Sequence, residues 1–157
     1  MSTADILTAI QDSPIAHAIS KSNHLVAAGL QVVHVVGFIA LLAALVLISL
    51  RLLKLVFKQQ PIRAVTADAN RIFHVGLTLT VLSGVLMFVS SPKLYFYKYA
   101  FEVKMLLFVT ALVIQFALLR RIAANENPNP FAARAAVALS LTAWFGIGLA
   151  GRMIGFT

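Results

Sequence analysis

Apolar residues occupy four long runs of this chain, separated by short stretches rich in Arg, Lys, Pro and Asn. The first run, HLVAAGLQVVHVVGFIALLAALVLISL over 24–50, is the most continuous. Roughly 20 consecutive apolar residues let one helix cross the hydrocarbon core of a bilayer, so this run predicts a spanning helix over about 24–57. Its far end is marked by Arg51, Lys54, Lys58 and Pro61. The later runs predict spans over about 68–90, 100–120 and 131–154, the second closed by Ser90, Ser91 and Pro92 and the third by Arg120 and Arg121. Between them lie KLYFYKY, an aromatic and lysine mixture suited to a membrane interface, and NENPNP, a turn-rich loop.

Ahead of the spans, residues 1–22 carry Ile6, Leu7, Ile10, Ile15 and Ile19 at helical spacing, with Thr3 and Ser13 as candidate N-caps and Pro14 at a first helical position. This predicts a short amphipathic segment lying on the membrane surface, with His17 solvated. Ser22 and Asn23 are cap-type residues before the first span. The expected fold is therefore all-α: an integral membrane four-helix antiparallel bundle over 23–157, preceded by an N-terminal interfacial helical segment.

Composition strengthens the membrane reading. Of 157 residues, 61% are hydrophobic and 11% charged, against about 25% charged in soluble domains. The lack of cysteine excludes disulfides, thiolate metal sites and thioether haem attachment. Although the net charge is +8, the basic residues fall between apolar runs, which suits topology and anionic headgroups and makes nucleic acid an unexpected partner. Eight of them (Arg51, Lys54, Lys58, Arg63, Arg71, Arg120, Arg121, Arg134) belong to one side of the bundle and five (Lys21, Lys93, Lys98, Lys104, Arg152) to the other. That imbalance predicts that the first side is cytoplasmic and both termini lie on the opposite side, the periplasm if the membrane is a bacterial inner membrane. The first residues carry Asp5 and Asp12 in place of a basic signal region, so the first spanning helix is expected to act as the targeting signal.

His34 interrupts the first run. An ionisable side chain at that depth costs on the order of a few kcal/mol, which calls for a partner or a task. His34 lies 26 residues before Gln60 and Pro61, and Met87 about as far after them, so an antiparallel hairpin brings the two to similar depth. His74 should differ in depth from His34 by roughly 20 Å. The expected site is thus His34 with Met87 as metal or axial ligands, and Lys104 and Arg152 as cations for propionates, a set suited to haem b. Met105 and Met153 are substitutes for Met87. The expected function is transmembrane or quinone-linked electron transfer, with the chain as a candidate membrane anchor of a redox complex.

Each residue also has a plainer reading. His34 can bond across the bundle to Ser, Thr or a carbonyl; Met87 can be packing; Lys104 and Arg152 can snorkel to the headgroups, and Glu102 can pair with Lys104. Copper or small-solute transport would use the methionines with His24 or His34. A structural subunit, of a complex or of a homo-oligomer, would use Gly76, Gly84, Gly146, Gly148 and Gly151 as close-contact points. Hydrolytic triads, phosphate-cradling loops and paired carboxylates are missing.

The stretches VVHVVGFIALLAALVLISLRLL, LSGVLMF, FEVKMLLF and SLTAWFGIGLAGRMIGF resemble a bacterial family of small four-helix inner-membrane proteins of unknown function, from about residue 13 onward. Ser49 stands where that family often has an aspartate before the Leu-Arg pair. More distantly, His34 and Lys104 are similar to HemJ-type protoporphyrinogen oxidases, and the layout to copper-resistance D-type membrane domains. The HemJ resemblance implies haem bound through His34 with Lys104 nearby.

Overall fold

Lipid offers a backbone no hydrogen-bond partner, so a chain this apolar must close its N–H and C=O groups inside helices or a sealed barrel. The computed structural model, which describes residues 2–21 and 24–156, takes the helical solution, with no strand among the described residues. Two short helices come first. In α1, Thr3–Gln11, Ser2 is the N-cap and exchanges hydrogen bonds with Asp5 in a capping box. In α2, Pro14–Ser20, the Ser13 hydroxyl accepts from the Ala16 N–H. Helix α1 packs on the short helix α5, Pro92–Phe96, and α2 on α4, Ile62–Ser90. Ser22 and Asn23 lie outside the described residues.

Four helices are long and apolar enough to span a membrane. They are α3, His24–Leu52; α4; α6, Tyr99–Val113, which continues through a π-helical segment, Ile114–Leu119, into α7, Arg120–Ala123; and α8, Pro130–Met153. Exposed Val35, Ile39, Leu82, Leu106, Val109 and Leu149 turn apolar surface outward, as contact with lipid requires. The protein is a multi-pass membrane bundle.

The ends of two spans differ from the sequence expectation. Helix α3 stops at Leu52, five residues short of 57, because Lys54 takes a left-handed conformation (φ 58°). The Lys54 N–H bonds the Arg51 carbonyl and the Leu55 N–H the Leu50 carbonyl, the paired bonds of a Schellman ending with lysine in the position glycine usually fills. Arg51, expected among headgroups, is instead only 5% exposed and donates to the Gln60 carbonyl, tying down the loop that follows. Helix α4 starts at Ile62, six residues before 68. Its N-cap, Pro61, offers no side-chain bond; Glu126, distant in sequence, accepts from the Ile62 and Arg63 N–H groups at 2.9 and 3.2 Å. Capping interactions of this kind are worth about 1 kcal/mol. Glu126→Ala is therefore expected to lower stability by about that much. Thermal unfolding in detergent measures it, and an unchanged midpoint would show the latch to be idle.

The bundle is built from two tight pairs, α3 with α4 and α6 with α8. Where α3 crosses α4 the backbones touch through glycine. A Cβ on Gly76 would stand 2.6 Å from the Gly37 carbonyl oxygen and 2.7 Å from the Leu41 nitrogen. Across the pairs the gap is filled by rings. Trp144, fully buried, has Phe38, Phe73 and Phe108 around it at centroid distances of 6.4, 5.7 and 6.1 Å.

Candidate functional site

His34 faces α4 from the middle of α3, with its ring lying over Gly84. A Cβ there would come within 3.0 Å of the ring Cε1, so glycine at 84 is what lets the imidazole lie against the α4 backbone. Its Nδ1 is 3.2 Å from the Ser83 hydroxyl oxygen. That hydroxyl has one proton and two carbonyl neighbours, Leu79 at 2.6 Å and Thr80 at 3.2 Å, neither of which can donate. With the serine proton directed at the closer Leu79 carbonyl, the contact fits the tautomer in which Nδ1 donates to Ser83, with the Thr80 carbonyl also facing the ring. In that tautomer Nε2 keeps the lone pair, the state a ligand histidine needs.

Lys104, at the head of α6, is half-buried and within electrostatic reach of His34. Its aliphatic stem crosses α8 at Gly151, where a Cβ would meet Nζ at 3.5 Å and Cε at 3.6 Å. Gly148, one turn earlier, makes room in the same way for the Phe38 ring. Glycines on two helices thus give His34 and Lys104 their places. The expected Glu102–Lys104 pair does not form: Glu102 is exposed, and the ion pair seen among the described residues is Arg71–Asp68 at 3.6 Å.

Residues 13–157 match the model of a family described as a family of unknown function (DUF6644). The chain belongs to that family. No curated protein matches it, and no solved structure does.

The other candidate residues of this DUF6644 protein are placed less closely. Met87 is half-buried one turn beyond Ser83, roughly 6 Å further along α4 than the level of His34. The shift follows from the early end of α3, which moves the hairpin's midpoint toward the N-terminus. Arg152 is exposed, with its guanidinium 5.1 Å from the centre of the Phe156 ring. Met105 and Met153 are exposed as well. The side chain of His24 lies outside the described set. His74 lies nine residues before Ser83, roughly 13 Å along the helix, less than the 20 Å expected and still far beyond the reach of one metal, whose bonds to histidine are about 2 Å. It donates from Nδ1 to the Asn70 carbonyl at 2.6 Å and is flanked by the Phe73 and Phe116 rings.

Three polar features escaped the sequence reading. Gln115, on the π-helical segment, is buried and meets the Ser140 hydroxyl of α8 at 3.5 Å. Local π-helix is often found at functional sites, and a glutamine inside an apolar run was the available signal. Lys98 donates to the Ile154 carbonyl at 2.7 Å, closing the end of α8, a role that a cation near a helix C-terminus fills well. The third is Arg51, whose burial has no signature in a run of leucines.

Proposed function

We propose that this DUF6644 protein binds haem b through His34 and carries electrons in the bacterial inner membrane, exchanging them with quinone or with a redox partner protein that it anchors. The observation that carries the reading is the imidazole set against α4: Nδ1 meets Ser83 at 3.2 Å, an arrangement that leaves Nε2 as the ligand nitrogen of a half-buried ring within the first span. A porphyrin brings four equatorial nitrogens of its own, so one histidine is enough to hold it. A free copper ion needs several protein donors, and of the methionines that copper transport would use, Met105 and Met153 are exposed and Met87 lies one turn beyond the level of His34. That favours haem over copper transport.

When bound, haem supplies one-electron chemistry. The chain's part is to hold and tune it. His34 would hold the haem iron and Ser83 would fix the imidazole's orientation, as outer hydrogen-bond partners of ligand histidines do. The Lys104 ammonium would stand against a propionate, with Arg152 at the same end as the second cation. Met87 is the second-ligand candidate on α4. The excess of Lys and Arg at the other end supports a cytoplasmic place for that end and, with it, a periplasmic-side place for this site.

The test is an absorption spectrum of detergent-purified protein, oxidised and dithionite-reduced, before and after haem reconstitution. A Soret band is expected and should be lost in His34→Ala. Ser83→Ala is expected to keep the band while weakening haem affinity by about 10–100-fold, the usual effect of removing such a partner. No Soret band after reconstitution would sink the proposal.

A further inference from the structure

At the end opposite His34, the loop after α3 and the loop before α8 line an open cavity of about 150 Å³. Lys54 and Arg134 are its charged lining, and Leu52, Leu53, Pro128, Pro130 and Ala133 complete it. Neither cation forms an ion pair with a carboxylate among the described residues. Glu126, in the loop before α8, has both oxygens committed to the α4 backbone. One turn before Lys54 sits buried Arg51, whose Nε has no hydrogen-bond partner. Lys54 and Arg134 are exposed and Arg51 is buried, so three cations stand at this end beside the Glu126 carboxylate, whose oxygens face the α4 backbone.

The lysine is also held at a conformational cost. Only glycine, and at times asparagine or aspartate, takes the left-handed region readily, yet Lys54 occupies it at φ 58°. Strain of this sort persists where surrounding structure enforces it, and it gathers at binding sites. Here the enforcement is visible: the Schellman bonds fix Lys54, Arg51 grips the Gln60 carbonyl, and Arg63 donates from Nε to the Ala124 carbonyl at 2.7 Å, joining the two loops.

We propose that this cavity binds the phosphate headgroup of an anionic phospholipid, Lys54 and Arg134 holding the phosphate while the leucines and prolines face the glycerol and first methylenes. Phosphate chemistry alone would also admit the free anion. The apolar lining and the position at the ends of the spanning helices, at headgroup depth, select the lipid. The site is independent of the haem reading.

The full chain in a neutral detergent, titrated with phosphatidylglycerol, phosphatidylcholine or inorganic phosphate, tests it by thermal unfolding and native mass spectrometry. Phosphatidylglycerol is expected to raise the unfolding midpoint saturably and to remain bound in the gas phase, while the other two do neither. In Lys54→Gln/Arg134→Gln its affinity should fall by about 30-fold, the loss of two membrane-facing cations. Lys54→Gly/Arg134→Gln keeps the helix ending, since glycine suits that backbone, and should unfold no earlier than the parent in detergent alone yet lose the lipid response. Undiminished phosphatidylglycerol binding in both double variants overturns the site. Equal protection by phosphatidylcholine overturns the charge recognition, and equal protection by inorganic phosphate overturns the lipid as its source.

Discussion

Gly76→Ala is expected to lower the stability of the bundle by about 3 kcal/mol or more, the upper end of the overpacking range. The new methyl group meets the Gly37 carbonyl and the Leu41 nitrogen, which are backbone atoms of α3 and cannot rotate away. Relief requires α3 and α4 to separate along their whole contact. In lipid this loss has no hydrophobic offset, because helix pairing there rests on close packing rather than on escape from water. Circular dichroism during thermal unfolding in detergent reads the change. Gly29→Ala is the matched control: its Cβ meets nothing within 4 Å, and alanine in a helix interior is favoured over glycine by about 0.5–1 kcal/mol. A Gly76→Ala protein that unfolds with its parent would show that the glycine crossing does not govern stability.

Trp144→Ala should be the other severe change. The indole is fully buried and joins α8 to Phe38 of α3, Phe73 of α4 and Phe108 of α6, so it is the point at which the two hairpins share packing. In soluble proteins, truncating such a side chain costs about 3–5 kcal/mol, part of it transfer from water and part the cavity left behind. Lipid removes most of the transfer part, which leaves an expected loss of about 2–3 kcal/mol. Trp144→Phe separates volume from chemistry. The indole N–H has no hydrogen-bond partner, so phenylalanine forfeits no bond and should cost about 1 kcal/mol or less. If alanine proved as mild as phenylalanine, the ring cluster would not be what holds the hairpins together.

Much of this architecture was legible in the residues because each run of apolar side chains is bounded by arginine, proline or asparagine, and bilayer thickness turns run length into a helix count. Gly76 and Gly84 were also readable as contact points, since small residues in a spanning helix have few other uses. What could not be read was the exact ending of a helix. Lys54 has no propensity for the left-handed turn it makes, and the five-residue difference it causes in α3 moved His34 from the level of Met87 to that of Ser83. The latch from Glu126 to α4 was invisible for a related reason: it joins residues 64 positions apart in backbone numbering and follows from how two loops meet, not from any local pattern. His34 itself announced a site by its cost. The partner that orients it, Ser83, is one of several hydroxyl residues on α4, and only the crossing at Gly37 and Gly76 selects it.

The unequal lengths of the spanning helices impose something further on the surrounding membrane. Helices α3 and α4 have 29 residues each, about 43 Å at the rise of an α-helix, whereas α8 has 24, about 36 Å. A hydrocarbon core of about 30 Å matches neither. The longer pair must tilt or extend past the acyl region, and its polar stretch around Thr66, Asp68 and Arg71 suits the second course at one end. The α3–α4 side therefore meets the bilayer as a taller wall than the α8 side. Because the surplus length is polar, it stands among the headgroups and gives the α3–α4 side a larger polar surface at that membrane boundary than the α8 side.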